Sequence, residues 1–183
     1  MSPMSIEELR RIVLAALLSA LTAAGAYIQI PIGPVPVVLS TLFVLLSGLL
    51  LGSRGGLVSM GLYLLMGAMG VPVFAGGRGG FAHFFGPTGG YLFGYALSAW
   101  VTGFISERVR PGSVLEMTGI AVGILAVYST GLPWLKMVTH LSWAKTMMVG
   151  MIPFLIGDGI KGAAAFMLAR SVRPMLHRQR TAV

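Results

Sequence analysis

The sequence predicts an all-α membrane protein: a bundle of six transmembrane helices with both termini cytoplasmic, forming a single domain over residues 1–183. Three observations carry that prediction. Hydrophobic residues make up 56% of the chain and charged residues only 10%, whereas a soluble domain needs roughly a quarter charged residues to solvate its surface. Apolar runs approaching the ~20 residues that span a bilayer recur between clusters of glycine, proline and charge. The basic residues are also distributed unevenly among the connections, as cytoplasmic loops require.

Taken in order, the first span runs from Leu9 to Ile28. Arg10, Arg11 and the small residues Ala24-Gly25-Ala26 imitate a cleavable leader, but the hydrophobic remainder still needs a membrane, so a retained helix is expected. Pro31, Pro34 and Pro36 cannot continue a helix and make a short extracytoplasmic link. The second span is Val37 to Leu51. Gly52-Ser53-Arg54-Gly55-Gly56 reads as a turn, and the third span is Leu57 to Met69. Gly70 to Gly90 carries eight glycines and two prolines; a loop of that length between spans is usually functional. Tyr91 to Ile105 is the fourth span and Val114 to Thr130 the fifth. Leu132 to Ala144 mixes Pro133, Trp134, Lys136, His140 and Trp143, which suggests an interfacial segment with aromatic anchors. The last span covers about Thr146 to Ala169, interrupted by Pro153.

Charge bias agrees with six spans. With the amino terminus inside, the cytoplasmic side holds Arg10, Arg11, Arg54, Arg108, Arg110, Arg170, Arg173, Arg178 and Arg180, nine in all; the outer side holds Arg78, Lys136 and Lys145. The formal charge of +8 is spread thinly rather than gathered into a stripe, which argues against a nucleic-acid partner. The chain has no cysteine, so disulfides, a zinc ribbon and a thiol nucleophile are excluded.

Three features carry chemistry. Asp158 and Lys161 lie three apart in the last span, so a helix puts them on one face. Each charge costs about 2.5–3.5 kcal/mol in the bilayer even on the lenient insertion scale, and intramembrane ionisable residues mark functional sites by default. The alternative is a mutual ion pair that only locks two side chains. Pro153 and Gly157 loosen this helix, which suits a cavity wall. The glycine-rich loop from Pro72 through Phe74, Arg78 and on to Tyr91 is the second feature. Glycine lets backbone approach a ligand closely, and the aromatic content favours a lid over a plain connector. No Gly-Lys-Ser/Thr follows, so it is not a nucleotide phosphate loop. The third feature is Ala16, Ala20 and Ala24, small residues that permit close helix approach; internal packing explains them equally well. His83, His140 and His177 lack ligand spacing, so no metal site is expected.

Gly33-Pro34-Val35-Pro36 through Leu51-Gly52, Tyr63 to Phe74, Gly86-Pro87-Thr88-Gly89-Gly90-Tyr91, and Pro153-Phe154 with Gly157-Asp158 and Lys161 together resemble the BioY family. These are the biotin-binding membrane subunits (S components) of energy-coupling factor (ECF) transporters. The resemblance implies a six-helix subunit that captures biotin and has no catalytic residues of its own. Its partners are an ECF transmembrane subunit and two ATPase subunits. It implies that Asp158 and Lys161 contact the ligand and that the alanine face of the first span contacts the transmembrane subunit. Phe74, Arg78 and Tyr91 are the candidate loop contacts. The family is expected to carry glutamine near Ser40, so a polar contact is missing there.

Biotin suits this inventory. Its ureido N–H groups can donate to a carboxylate, its valerate can pair with Lys161 or Arg78, and its bicyclic body needs apolar walls. Another small carboxylate with polar and apolar ends suits it as well. A self-sufficient secondary transporter in which Asp158 carries a proton is the competing function. A membrane enzyme acting on lipid lacks the required nucleophile or metal cluster.

Overall fold

The structure, a computed structural model, describes residues 5–178. Arg180 and the side chain of Arg178, counted above with the cytoplasmic basic residues, lie outside the described residues. Helix α1 (Ile6–Tyr27) starts at a reciprocal cap in which Ser5 Oγ accepts from Glu8 N and the Glu8 carboxylate accepts from Ser5 N. The proline-rich link is a small antiparallel ribbon, β1 (Gln29–Ile30) with β2 (Val37–Val38). Helices α2 (Ser40–Ala68), α3 (Gly89–Ser106), α4 (Val114–Thr139), α5 (Trp143–Gly150) and α6 (Ile152–Arg178) follow, with a 3₁₀ turn at Phe81–Phe85 ahead of α3. Among the described residues, four helical stretches are long and apolar enough to cross a membrane: Ile6–Tyr27, Ser40–Ala68, Val114–Thr139 and Trp143–Leu176.

Helix α2 is not one rod. Gly52 has φ 75° and ψ −174°, outside any helical region, and the chain reverses there. Ser47 and Ser59 meet at 3.5 Å, although twelve residues of continuous helix would separate them by about 18 Å. The expected five-residue turn at 52–56 therefore contracts to Gly52. The two halves of α2 run Ser40 to Leu51 and Ser53 to Ala68, in place of the spans Val37–Leu51 and Leu57–Met69. The short turn works because its outer contacts replace lost helix bonds: the Glu107 carboxylate accepts from Ser53 N at 2.8 Å and from Ser53 Oγ at 3.0 Å. Glycines then bring backbones together. A Cβ at Gly48 would sit 2.9 Å from Gly103 N, and one at Gly56 would sit 3.1 Å from Gly48 Cα. This is the small-residue packing that lets membrane helices approach closely.

Two other expectations change. The fifth span does not stop at Thr130; α4 continues through Pro133 to Thr139, and His140 closes it in the left-handed region at φ 55°. Proline is tolerated because neighbouring groups re-satisfy the freed backbone in membrane helices, and Trp134 is anchored by Nε1 donating to Gly86 O at 3.0 Å. The interfacial segment Leu132–Ala144 is thus mostly the end of α4. The last span divides at Met151 (φ −138°, ψ −55°) into α5 and α6. Pro153 falls in the first turn of α6, where its missing N–H costs nothing.

The bundle is apolar inside and out. Its core holds Leu45, Met60, Tyr63, Phe74 and Leu135, and small hydroxyl residues are interspersed among them: Ser19, Thr22, Ser40, Ser47, Ser59, Ser98 and Thr102 are all fully buried. Several sew helices together, with Ser59 Oγ donating to Ala15 O and Ser40 Oγ to Thr22 O, each at 2.9 Å. Large apolar side chains also face outward, including Ile156, 80% exposed, and Ile160, 66% exposed. Such a surface belongs in hydrocarbon.

The two ends differ. One carries the β-ribbon, the 70–88 loop and the α4–α5 link. The other carries the Gly52 reversal, the 107–113 turn and both ends of the described chain, where Arg10 donates to Leu176 O. There a buried Glu116–Arg173 pair at 2.6 Å ties α4 to α6, and Arg173 also reaches Ser106 Oγ and Leu49 O.

Gly52→Ala is expected to destabilise the protein by about 1–3 kcal/mol, the range for a strained backbone position. Its Cβ would meet the Glu107 carboxyl group, with Cδ at 3.1 Å. Thermal unfolding in detergent measures this, and an unchanged midpoint would show that the reversal does not need glycine.

Candidate ligand-binding site

The charged stripe of α6 is turned inward. Asp158 and Lys161 are 7% and 9% exposed, while Ile156 and Ile160 on the opposite face look outward, so the helix presents charge to the bundle and hydrocarbon to its surroundings. Phe154, one turn before Asp158, is buried on the same stripe. These three side chains form one wall of a cavity that opens to the outside.

The polar end of the cavity is a three-residue cluster. Lys161 Nζ donates to Asp158 Oδ1 at 2.8 Å, and the Tyr128 hydroxyl of α4 donates to Asp158 Oδ2. The ion pair allowed for as a purely structural lock is therefore formed. It nonetheless fronts the cavity and is not sealed away from it. Each carboxylate oxygen has a second lone pair, and the ammonium has two further N–H donors. The pair can therefore meet a ligand edge that offers a donor beside an acceptor.

The remaining walls are apolar or aromatic. Phe74 is fully buried, edge-on to Tyr63 and Phe84 at 5.5 Å and stacked on the His83 ring at 5.1 Å. The loop that holds it is folded rather than slack. Phe74 and Arg78 exchange backbone hydrogen bonds, Phe74 N to Arg78 O at 2.8 Å and Arg78 N to Phe74 O at 3.2 Å. Gly76 and Gly77 make the reversal between them at φ 74° and 68°, a region that favours glycine. Tyr91 lines the cavity with its hydroxyl donating to Gly150 O at 2.8 Å, which fixes α5 against α3.

Of the candidates from sequence, Asp158, Lys161, Phe74 and Tyr91 share this cavity. Arg78 is exposed, and its side chain is not among the groups lining it. Ala16, Ala20 and Ala24 lie far from it in role, all three exposed on the outer face of α1. Ser40 does line the cavity, but its hydroxyl is committed to Thr22 O. Sequence reasoning missed Tyr128, Tyr95, Tyr63, Thr41, His83 and Thr88, all cavity-lining. A signal existed for the tyrosines, because a phenol within an apolar run needs a buried partner for its O–H.

The sequence matches the BioY family over residues 1–178. It is 37% identical over 164 residues to the probable biotin transporter BioY of Pyrococcus horikoshii, covering 90% of this chain and 96% of that protein. It is 38% identical over 167 residues to the biotin transporter BioY of Thermotoga maritima, covering 91% and 98%. A crystal structure of the S-component for biotin from an ECF-type ABC transporter superposes with a TM-score of 0.86 at 27% identity, covering 94% of this chain and 95% of that one. Four long apolar helical stretches, an apolar exterior and the match along almost the whole chain lead to one placement: the chain is a multi-pass membrane protein that belongs to the BioY family.

Proposed function

We propose that this protein is the biotin-capture subunit of an ECF-type transporter, a binding protein and not an enzyme. The observation that carries the proposal is the inward turn of Asp158 and Lys161 onto an apolar, aromatic-walled cavity. The ureido ring of biotin places an N–H next to a carbonyl, which complements an acceptor and a donor held 2.8 Å apart. In this pose Asp158 accepts the ureido N–H and Lys161 donates to the ureido carbonyl. The fused rings then lie against Phe74, Phe154 and Tyr95.

We propose further that the chain crosses the membrane six times, the two halves of α2 counting separately and α5–α6 forming one broken crossing. Both ends of the described chain lie at one end of the bundle, which fits an even number. The basic side chains Arg10, Arg54, Arg108 and Arg173 gather there, which fits a cytoplasmic location. The exposed Ala16, Ala20 and Ala24 on α1 offer a surface on which another helix can approach closely. That helix belongs to the ECF transmembrane subunit, which in turn holds the two ATPase subunits.

Asp158→Asn or Lys161→Ala is expected to weaken biotin binding by purified protein in detergent at least tenfold, since hydrogen bonds to charged groups contribute about 1.5–3 kcal/mol. Calorimetry measures this, and two variants that bind like the parent would remove the site assignment. Ala20→Trp is expected to leave biotin binding in detergent unchanged and to abolish uptake by cells that supply the ECF module. Full uptake by that variant would rule out the alanine face as the docking surface. Uptake by the parent in cells without ATPase subunits, driven by a pH gradient and lost in Asp158→Asn, would favour the proton-coupled transporter instead.

A further inference from the structure

We propose that His83 and Thr88 form an anion subsite at the loop end of the cavity, in which a protonated His83 holds the carboxylate of the bound ligand. This rests on the biotin reading and extends it, by assigning the end of the ligand that the Asp158–Lys161 pair does not meet.

Charge is the starting point. Among the residues lining the cavity, those able to carry positive charge are Lys161 and His83. Lys161 is already bonded to Asp158. An anionic ligand therefore brings a second negative charge into a chamber whose lysine is engaged, and partial burial makes an unpaired charge costly there. Arg78 is exposed on the loop outside the cavity and does not fill the gap. His83 does.

Its setting is prepared for the task. Stacking on Phe74 at 5.1 Å with an interplanar angle of 20° fixes the ring plane. Nε2 lies 3.1 Å from Thr88 Oγ1, so in the imidazolium Nε2–H donates to that hydroxyl and Nδ1–H remains for a carboxylate. The Thr88 hydroxyl makes no capping bond to α3 although it stands at the N-cap position, so its own proton is available to the same carboxylate. The first turn of α3, with Tyr91 and Leu92, lines the cavity beside it, and the positive end of an 18-residue helix favours an anion there. The subsite thus combines an imidazolium, a hydroxyl donor and a helix dipole.

The other ionisable groups sharing the cavity are four tyrosines (Tyr63, Tyr91, Tyr95 and Tyr128) and the Asp158–Lys161 pair. Arg78 acts on His83 from its own loop. In the empty protein, burial and then the Arg78 charge lower the His83 pKa from its ordinary value, so the ring is neutral at neutral pH. A bound carboxylate raises it again. Binding consequently takes up a proton between the two values, and affinity for an anion rises as pH falls through the bound-state value and levels off below the free-state value. A ligand carboxyl with an ordinary pKa near ~4.3 stays ionised through this window.

The test compares biotin with its uncharged methyl ester by calorimetry on the full chain in detergent, at pH 7.5 and 5.5. The acid's Kd is expected to fall about tenfold toward pH 5.5, while the ester's stays constant. His83→Gln is expected to remove the acid's pH dependence. The comparison of acid with ester uses the parent protein and needs no variant to fold. Equal pH dependence for acid and ester, or an undiminished slope in His83→Gln, would overturn the subsite and leave biotin capture standing. Failure of both acid and ester to bind the parent at either pH would overturn the biotin reading itself.

Discussion

The structure depends on how one carboxylate and one ammonium are kept inside an apolar bundle. Neither ion is tolerable alone in that setting, because desolvation costs several kcal/mol per ion. They are tolerated together because they sit one helical turn apart and bond directly, and because Asp158 receives a second donor from Tyr128. That requirement sets much of the surrounding architecture. The break at Met151 and the proline in the first turn of α6 set the direction in which the helix enters the bundle. Tyr128 is carried by an α4 that does not stop at its own proline. Tyr91 pins α5, and hence the start of α6, through Gly150 O. The ion pair is stabilised by the same elements that leave a chamber in front of it.

The two ends of the bundle solve different problems with similar chemistry. At the loop end, the Asp158–Lys161 pair borders a cavity and keeps spare hydrogen-bonding capacity. At the other end, Glu116 and Arg173 form a 2.6 Å pair that is further bonded to Ser106, Gly112 N and the Leu49 carbonyl. This second pair ties four helical segments together, and Arg173, Ser106 and Leu49 also border a wide open cleft. The two buried ion pairs differ in what they join: Asp158–Lys161 lies within one helix, whereas Glu116–Arg173 bridges two. Sequence spacing distinguishes them only in part. Asp158 and Lys161 sit within one apolar run, whereas Glu116 and Arg173 are 57 positions apart and meet through tertiary structure alone.

Much of the fold was legible in the sequence for simple reasons. Long uninterrupted apolar runs announced α1, α3 and the first part of α4, and the spacing of Asp158 and Lys161 announced a shared face. What could not be read were the places where a local rule lost to a tertiary contact. Pro133 signals a stop, yet Trp134 is held by Gly86 O and the helix carries on. The cluster Gly52 to Gly56 signals a broad turn, yet Glu107, far along the chain, supplies the bonds that let one glycine suffice. The cavity-lining tyrosines were harder still. Each is an isolated phenol in a helix, and only the folded arrangement of α2, α3 and α4 gathers them around one space. Arg78 differs from the other loop candidates, since charge and proximity in sequence suggested a ligand contact, whereas its side chain is exposed and does not line the cavity.

Gly52 ends the first half of α2 and begins the second with no residue to spare. Insertions are ordinarily absorbed by exposed loop tips, but this tip is clamped between Glu107 and Gly103. A single extra residue that propagated into the following helix would rotate it by about 100°. Tyr63 would swing off the chamber wall, and Ser59 would lose the Ala15 carbonyl. Chain length at a distant corner thus belongs to the specification of the binding chamber as fully as the side chains within it.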